Sequence, residues 1–375
     1  MKHSDIKTKS ENIESLFRYI LKNGSATKQD LHTSLGLSLP TIKQGLDTLH
    51  ENHFITSGET VKNTGGRNAI AYQIDTSYYY AIGIFISLNH LSAVCLDLSG
   101  NIISSKRIVY PLDLQNDDYL KKLGEITNNV ISNINLEGKK ILGVGIAIPS
   151  LISDDGENTI FGMTTDFTNI TRKVLSKYIP YHTTIFHDSD AAAIAEIWKN
   201  PELNNAIYIN LNASIGSSII IDGKPYKGSN HLAGEIGHII VAPGNGKQCY
   251  CGQEGCFDTV CNTNVLDSYT NGDLNEFFHL IDKGDEYALT LWNTYLDYLA
   301  LTIRNLKMMF DCNFIIGGNV GARIEKYMPA LYQKIDKLSV FVKFSETYVY
   351  PCSYKKATTA VGAAIQILEN HIKSF

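Results

Sequence analysis

Glu235-Ile236-Gly237-His238, followed a short way on by Cys249-Tyr250-Cys251-Gly252-Gln253-Glu254-Gly255-Cys256, is the stretch on which the reading of this chain turns. Cys249, Cys251 and Cys256 crowd into a loop where Gly246, Gly252 and Gly255 permit tight turns. Three thiolates completed by one imidazole make a closed tetrahedral donor set, the pattern of a structural zinc site. From spacing alone, Cys261 competes with His238 for the fourth place. The chain has seven cysteines, an odd number. Its N-terminus is polar and shows no signal-peptide pattern, which points to the cytoplasm. In that reducing setting such a cluster binds metal rather than forming disulfides.

The 375 residues are enough for two or three domains, and 44% hydrophobic with 19% charged residues is an ordinary globular balance. No apolar run reaches the roughly 18 residues of a membrane span. The net charge is −5; residues 1–75 carry +1 and the remainder −6. Charge therefore neither demands nor forbids nucleic-acid binding.

Outward from the cysteine loop, the first seventy-five residues carry a separate pattern. Ile13, Leu16, Phe17, Ile20 and Leu21 repeat at helical spacing between Ser10 and Asn23-Gly24. Thr27-Lys28-Gln29-Asp30 has the form of a capping box and opens a short helix ending near Gly36. Ser38 caps a third helix, with Pro40 in its first turn. Ile42, Leu46 and Leu49 line the inner face of that helix. Its other face carries Thr41, Lys43, Gln44 and Thr48, short polar groups with a Lys and a Gln of the kind that read base edges. Two strands follow, at 54–56 and 69–74, around a Gly-rich tip holding Arg67. The order is that of a winged helix-turn-helix whose DNA contacts would be Ser38, Thr41, Lys43, Gln44 and Arg67. A three-helix protein-interaction module is the alternative.

Farther on, strands are expected over 79–87, 91–97, 102–110, 141–148 and 183–186, with helices over 117–134 and 191–198. A second set follows: strands over 206–211 and 217–221, long helices between 264 and 310, a strand at 314–318, another helix, and a closing helix after Ala357. Hairpin strands, then helix, then strands, occurring twice, describe two related α/β lobes with a cleft between them.

With Asp222-Gly223-Lys224, Gly228 and Ala233-Gly234 placed before the Glu-x-Gly-His and Cys-x-Cys segments, the pattern resembles the ROK family of repressors, open-reading-frame proteins and sugar kinases. The resemblance spans the whole chain, because the family's repressors carry an N-terminal winged helix. It implies a winged helix-turn-helix over 1–75. Over 76–375 it implies an α/β actin-like ATPase (ribonuclease H-like) fold of two lobes, with their boundary near 200 and the C-terminal helix packing back on the first lobe. It makes His238 the fourth ligand of a structural Zn2+ beside Cys249, Cys251 and Cys256. It also places a monosaccharide at His187, Asp188, Glu235, His238 and Asp258. Asp188 matches the kinases' general base, and in a regulator it would simply accept a hydrogen bond. Read by itself, Asp188 is more readily a helix N-cap, and it is the company of Glu235 and His238 that favours the sugar role. His187 stands where the kinases usually have Asn, and Asp258 where the family usually has Glu. Met163-Thr164 and Phe167 replace a Pro-Asn pair and a Trp.

Two further departures concern phosphate. The kinases' first phosphate turn, Asp-x-Gly-Gly-Thr, corresponds here to Phe85-Ile86-Ser87-Leu88-Asn89. Their second, rich in glycine, corresponds to Asn212-Ala213-Ser214-Ile215-Gly216-Ser217-Ser218. Phosphoryl transfer needs close backbone approach to the phosphates, and side chains here would obstruct it. Only Gly317-Gly318-Asn319 resembles the adenosine segment. The expectation is a non-enzymatic, sugar-responsive repressor: a homodimer or homotetramer that binds double-stranded operator DNA and a monosaccharide effector. The alternatives are an active sugar kinase with a DNA-binding head, and a regulator controlled by a protein partner.

Overall fold

The computed structural model describes residues 3–374 except 62–68, 163–166, 245–246 and 342. Arg67 and the tip around it, Met163, Thr164 and Gly246 therefore lie outside the described residues.

The chain begins α1 (His3–Asn23), β1 (Ser25–Thr27), α2 (Lys28–Leu35), α3 (Leu39–Glu51), β2 (Ile55–Val61) and β3 (Ala69–Ile74). α1 starts earlier than its apolar repeat, so Ser10 is interior rather than a cap. The preceding residues contain neither Pro nor Gly, and nothing local stops the helix. The capping box at α2 is present: Thr27 Oγ1 accepts from Asp30 N at 3.2 Å, and Thr27 N donates back to Asp30 Oδ2 at 2.9 Å. Ser38 caps α3 through Thr41 N at 3.3 Å. β1, which the sequence pattern did not announce, pairs antiparallel with β3 and completes a three-stranded sheet. Leu16, Phe17, Ile20, Leu31, Ile42, Leu46, Leu49 and Phe54 fill the space between these elements.

β4 (Tyr79–Ile86), β5 (His90–Asp97), β6 (Ile102–Val109), α4 (Asp117–Ile131), β7 (Lys140–Ile148), β8 (Leu151–Ile152), β9 (Thr159–Phe161), α5 (Arg172–Leu175), β10 (Thr183–His187) and α6 (Asp188–Lys199) follow. Their main sheet has the order β10-β7-β4-β5-β6, parallel at β10-β7-β4 and antiparallel beyond. Tyr119, Leu123 and Ile126 of α4 pack on one face of it.

The second set is β11 (Ala206–Leu211), β12 (Ile215–Ile221), β13 (Lys224–Pro225), α7 (Phe257–Cys261), α8 (Thr263–Asp267), α9 (Leu274–Lys283), α10 (Glu286–Phe310), β14 (Asn313–Gly317), α11 (Gly318–Gly321), α12 (Met328–Leu338) and β15 (Val349–Pro351). The sheet order is β13-β12-β11-β14-β15. Phe277, Trp292, Tyr295 and Leu299 from α9 and α10 bury against it. The helical stretch expected between 264 and 310 breaks at Asn271 and Gly284, both left-handed.

α13 (Thr358–Ile372) returns to the first sheet. It lies directly on Gly83 of β4 and Gly145 of β7, neighbours in register. A Cβ at Gly83 would fall 1.8 Å from Ala360 O, and one at Gly145 2.2 Å from Ala363 O. On its other side a Cβ at Gly362 would fall 1.6 Å from Ala191 O of α6. Backbone meets backbone at all three places, so α13 is seated without side-chain slack.

Candidate metal centre and inter-lobe cleft

The cysteine loop is folded on itself by two isolated bridges, Ile240 with Cys256 and Gln248 with Glu254. Left-handed Gly252 and Gly255 make the turns. At Gly255 a Cβ would also strike Ala242 O at 2.3 Å. The result gathers His238, Cys249, Cys251 and Cys256, their ligand atoms within 4.8 Å of one another. His238 Nδ1 is 3.6 Å from Cys249 Sγ, and Cys251 Sγ is 3.6 Å from Cys256 Sγ. A tetrahedron with Zn–S bonds of about 2.3 Å has S···S edges of about 3.8 Å, so the spacing fits a four-coordinate ion. Cys261 does not join the cluster: it is buried, with Sγ directed at Tyr295 O at 3.4 Å.

β10 delivers His187 at its end, and α6 begins at once with Asp188, Ser189 and Asp190. His187 Nε2 lies 3.4 Å from Asp188 Oδ1, and Nδ1 lies 3.8 Å from Asp190 Oδ2. Asp188 Oδ1 accepts from Ser189 N at 2.7 Å, and Asp190 Oδ1 from Ser218 Oγ at 2.6 Å. Burial works against charge on His187. Its pairing with Asp190, and the charges of Asp190, Asp188 and Glu235, outweigh burial and raise it to about 9. Burial raises Asp188 in turn, opposed by His187. Burial would also raise Asp190, but its contact with His187 holds it below the usual carboxylate range.

A cleft of about 320 Å³ runs between residues 151–156 and 184–187 of the first lobe and 225–227, 231, 233 and 235 of the second. His187, Asp190 and Glu235 line it, as do Gln366 and Asn370 of α13. Three expected members stand off its wall. Asp188 is turned toward Ser189, His238 toward the cysteines, and Asp258 is buried with its carboxylate accepting from Ile215 N and facing Asn262. Asp258 thus braces the start of β12. Asp190, Asp154, Lys227 and His231 line the cleft without having been singled out. Asp190 had a signal, three residues after His187 and so on the same side of the turn. The others had none in the sequence.

The two segments compared with phosphate loops are each held by hydrogen bonds within the chain. Ser87 and His90 close a turn on each other through Ser87 N to His90 O at 3.0 Å and a side-chain contact, leaving Leu88 exposed at its tip. Asn212 Oδ1 accepts from Asn319 N at 2.8 Å, and a Cβ on Gly216 would meet Ser189 Oγ at 2.2 Å. Of the expected DNA contacts, Ser38 is spent on its cap and Thr41 is half-buried beside it, while Lys43 and Gln44 stand exposed.

Two sheets of matching make-up flanking a cleft, with a His/Cys3 loop on the second, define the two-lobed actin-like sugar-kinase fold. Residues 81–370 match the ROK family, and the chain belongs to it. It is 24% identical to the xylose repressor of Bacillus spizizenii over 380 residues, 97% of this chain and 96% of that one. It is 28% identical to the N-acetylmannosamine kinase of Vibrio cholerae over 291 residues, 74% of this chain and 96% of the kinase. The crystal structure of a ROK family transcriptional regulator, a homolog of E. coli MLC, superposes with a TM-score of 0.74 at 21% identity, covering 98% of each chain. No described helix is long and apolar enough to cross a membrane.

Proposed function

We propose that this chain is a sugar-responsive transcriptional repressor of carbohydrate-use genes, acting in the cytoplasm as a homodimer or homotetramer. One observation carries the reading. The similarity to a xylose repressor runs the full length, whereas the similarity to a kinase stops at about three-quarters of the chain. What the kinase match leaves is enough chain for the N-terminal unit of α1 to β3, here taken as a winged helix-turn-helix over 1–75. α3 is its recognition helix, with Lys43 and Gln44 reaching the major groove and Arg67 the wing contact. Residues 76–375 form the effector domain, divided near 200. Zn2+ at His238, Cys249, Cys251 and Cys256 holds the loop behind Glu235. Bound there it supplies structure, since four protein ligands leave no open position. A neutral monosaccharide binds at His187 and Glu235 on the cleft wall, with Asp188, His238 and Asp258 supporting from behind. The side chains standing at Ser87–Asn89 and Asn212–Ser214, where the kinases have glycines, argue against ATP use, so no phosphoryl transfer is assigned.

Fluorescence anisotropy of the gene's own upstream DNA, with monosaccharides added in turn, tests this. Release by one sugar supports it. Binding that no sugar alters favours control by a protein partner. Absence of binding at low salt, together with ADP formation from ATP and a sugar, would replace it with the kinase reading.

A further inference from the structure

His231 sits in the second-lobe segment that runs from Lys227 to Glu235, and its ring lines the cleft. Two local costs meet on it. Its φ is +59°, in the left-handed region that few non-glycine residues occupy, although Asn, Asp and His do so more often than the rest. Its Nδ1 is buried without a hydrogen-bond partner among the described residues. Unusual backbone of this sort clusters at ligand-binding sites.

The other ring nitrogen faces the opposite lobe. Nε2 lies 3.9 Å from Asp154 Oδ1, and Lys227 Nζ lies 3.6 Å from the same oxygen. At 3.9 Å the imidazole and the carboxylate are too far apart for a direct hydrogen bond. They are well spaced for a group that both accepts and donates. A hydroxyl oxygen placed about 2.8 Å from each would see them at an angle of about 90°, accepting from Nε2–H and donating to the carboxylate.

We propose that His231 and Asp154 are a specificity pair, one from each lobe, that together bind a single hydroxyl of a neutral monosaccharide. The inference rests on the sugar-site reading above and adds to it the residues that join the lobes across the ligand. A hydroxyl bridging the pair ties the lobes in one arrangement, and a sugar lacking it, or carrying it in the other configuration, cannot.

Isothermal titration of the full chain with D-xylose, D-glucose, N-acetyl-D-glucosamine and N-acetyl-D-mannosamine gives the reference affinities. For the sugar that binds, His231→Gly is expected to weaken binding roughly three- to tenfold, the value of one hydrogen bond. The same change should leave the melting temperature equal or higher, because Gly accepts the left-handed backbone freely. Asp154→Asn should weaken binding to a similar degree. The double variant should lose no more than either single one, since both remove the same bridge. Unchanged affinity in His231→Gly, or losses that multiply in the double variant, would overturn the pair while leaving the sugar site standing. If no sugar binds the unaltered chain but upstream DNA does, the pair and the sugar site fall together and the DNA-binding reading survives.

Discussion

Arg18 of α1 clamps Glu369 of α13 at two points, Nη1 to Oε1 at 3.0 Å and Nη2 to Oε2 at 2.7 Å, joining the first helix of the chain to the last. The turn of α13 that carries Glu369 also carries Gln366 and Asn370, which face the cleft. His371, one residue beyond, stacks on Phe54 with ring centroids 5.1 Å apart. α13 therefore borders the cleft on one side and grips the N-terminal unit on another. Its middle is fixed on the glycines of β4 and β7. A ligand that prefers one placement of α13 thereby biases the placement of α1, by no more than its difference in affinity for the two.

Glu369→Gln tests that connection. Arg18 keeps Glu14 as a partner at 2.7 Å, so the chain should still fold, with a stability loss of about 1–2 kcal/mol. Sugar affinity should stay within about twofold, while the sugar's effect on DNA affinity should shrink at least about fivefold. A sugar that releases DNA from the variant as well as from the parent would remove α13 from the pathway. Burial would raise Glu369, but Arg18 and then Lys373 hold it low. The clamp's stabilisation is thus complete above the ordinary glutamate value of 4.5 and is lost as the pH falls below it.

Metal removal is the second test. Purified protein should carry one zinc per chain by atomic absorption. A strong chelator, or Cys251→Ser, should lower the melting temperature by roughly 5–10 °C, because the ion's binding energy is also folding energy for the loop. Glu235 stands three residues before His238, so sugar affinity should fall with the metal. A chain that contains no zinc and melts unchanged in chelator would reduce the cluster to two buried thiols beside a half-buried thiol and a half-buried imidazole.

The third concerns His187, whose folded value of about 9 lies above its ordinary 6.5. A raised value stabilises the protein fully below pH 6.5 and loses that contribution as the pH climbs through 9. The contribution is bounded by roughly 3–3.5 kcal/mol. Urea midpoints should accordingly fall between pH 6.5 and 9.5, and the slope should flatten in His187→Gln. Equal slopes in both proteins would mean that Asp188 and Asp190 do not hold an imidazolium between them.

The sequence exposes those parts of the molecule whose cause is local. The Thr27–Asp30 box, the Ser38 cap and the cysteine loop each declare themselves within a few residues, and each is found in place. The Glu-x-Gly-His segment is equally legible, yet only Glu235 of its polar pair faces the cleft, because His238 is drawn to the thiols. What was hidden depends on contacts between distant segments. Glu196 reads as an ordinary helix residue, but it is buried and accepts from Ser353 N and Tyr354 N at 2.7 and 3.0 Å, fixing the approach to α13. β1 is three residues of Ser, Ala and Thr, too short for any alternation, and exists because β3 offers it an edge. Asp154 and His231 come together only when the two lobes do.

α3 supplies the last prediction. Ile42, Leu46 and Leu49 of α3 are buried, which fixes its rotation and leaves Lys43 and Gln44 outward. Neither side chain makes a hydrogen bond or ion pair among the described residues, so both are available to DNA. They differ in what they can read. The Gln44 amide can pair with an adenine edge in two hydrogen bonds, whereas Lys43 is a compact charge suited to a phosphate or a guanine acceptor. Gln44→Ala should therefore cost about 1–3 kcal/mol on the preferred operator and little on unrelated DNA, relaxing the preference at one base pair. Lys43→Ala, if the side chain lies on the backbone, should weaken all sequences alike and reduce the salt slope by about one. Anisotropy titrations at several salt concentrations on operator and scrambled duplexes separate the two. If neither variant alters either quantity, α3 does not enter the groove, and the N-terminal unit binds something other than DNA.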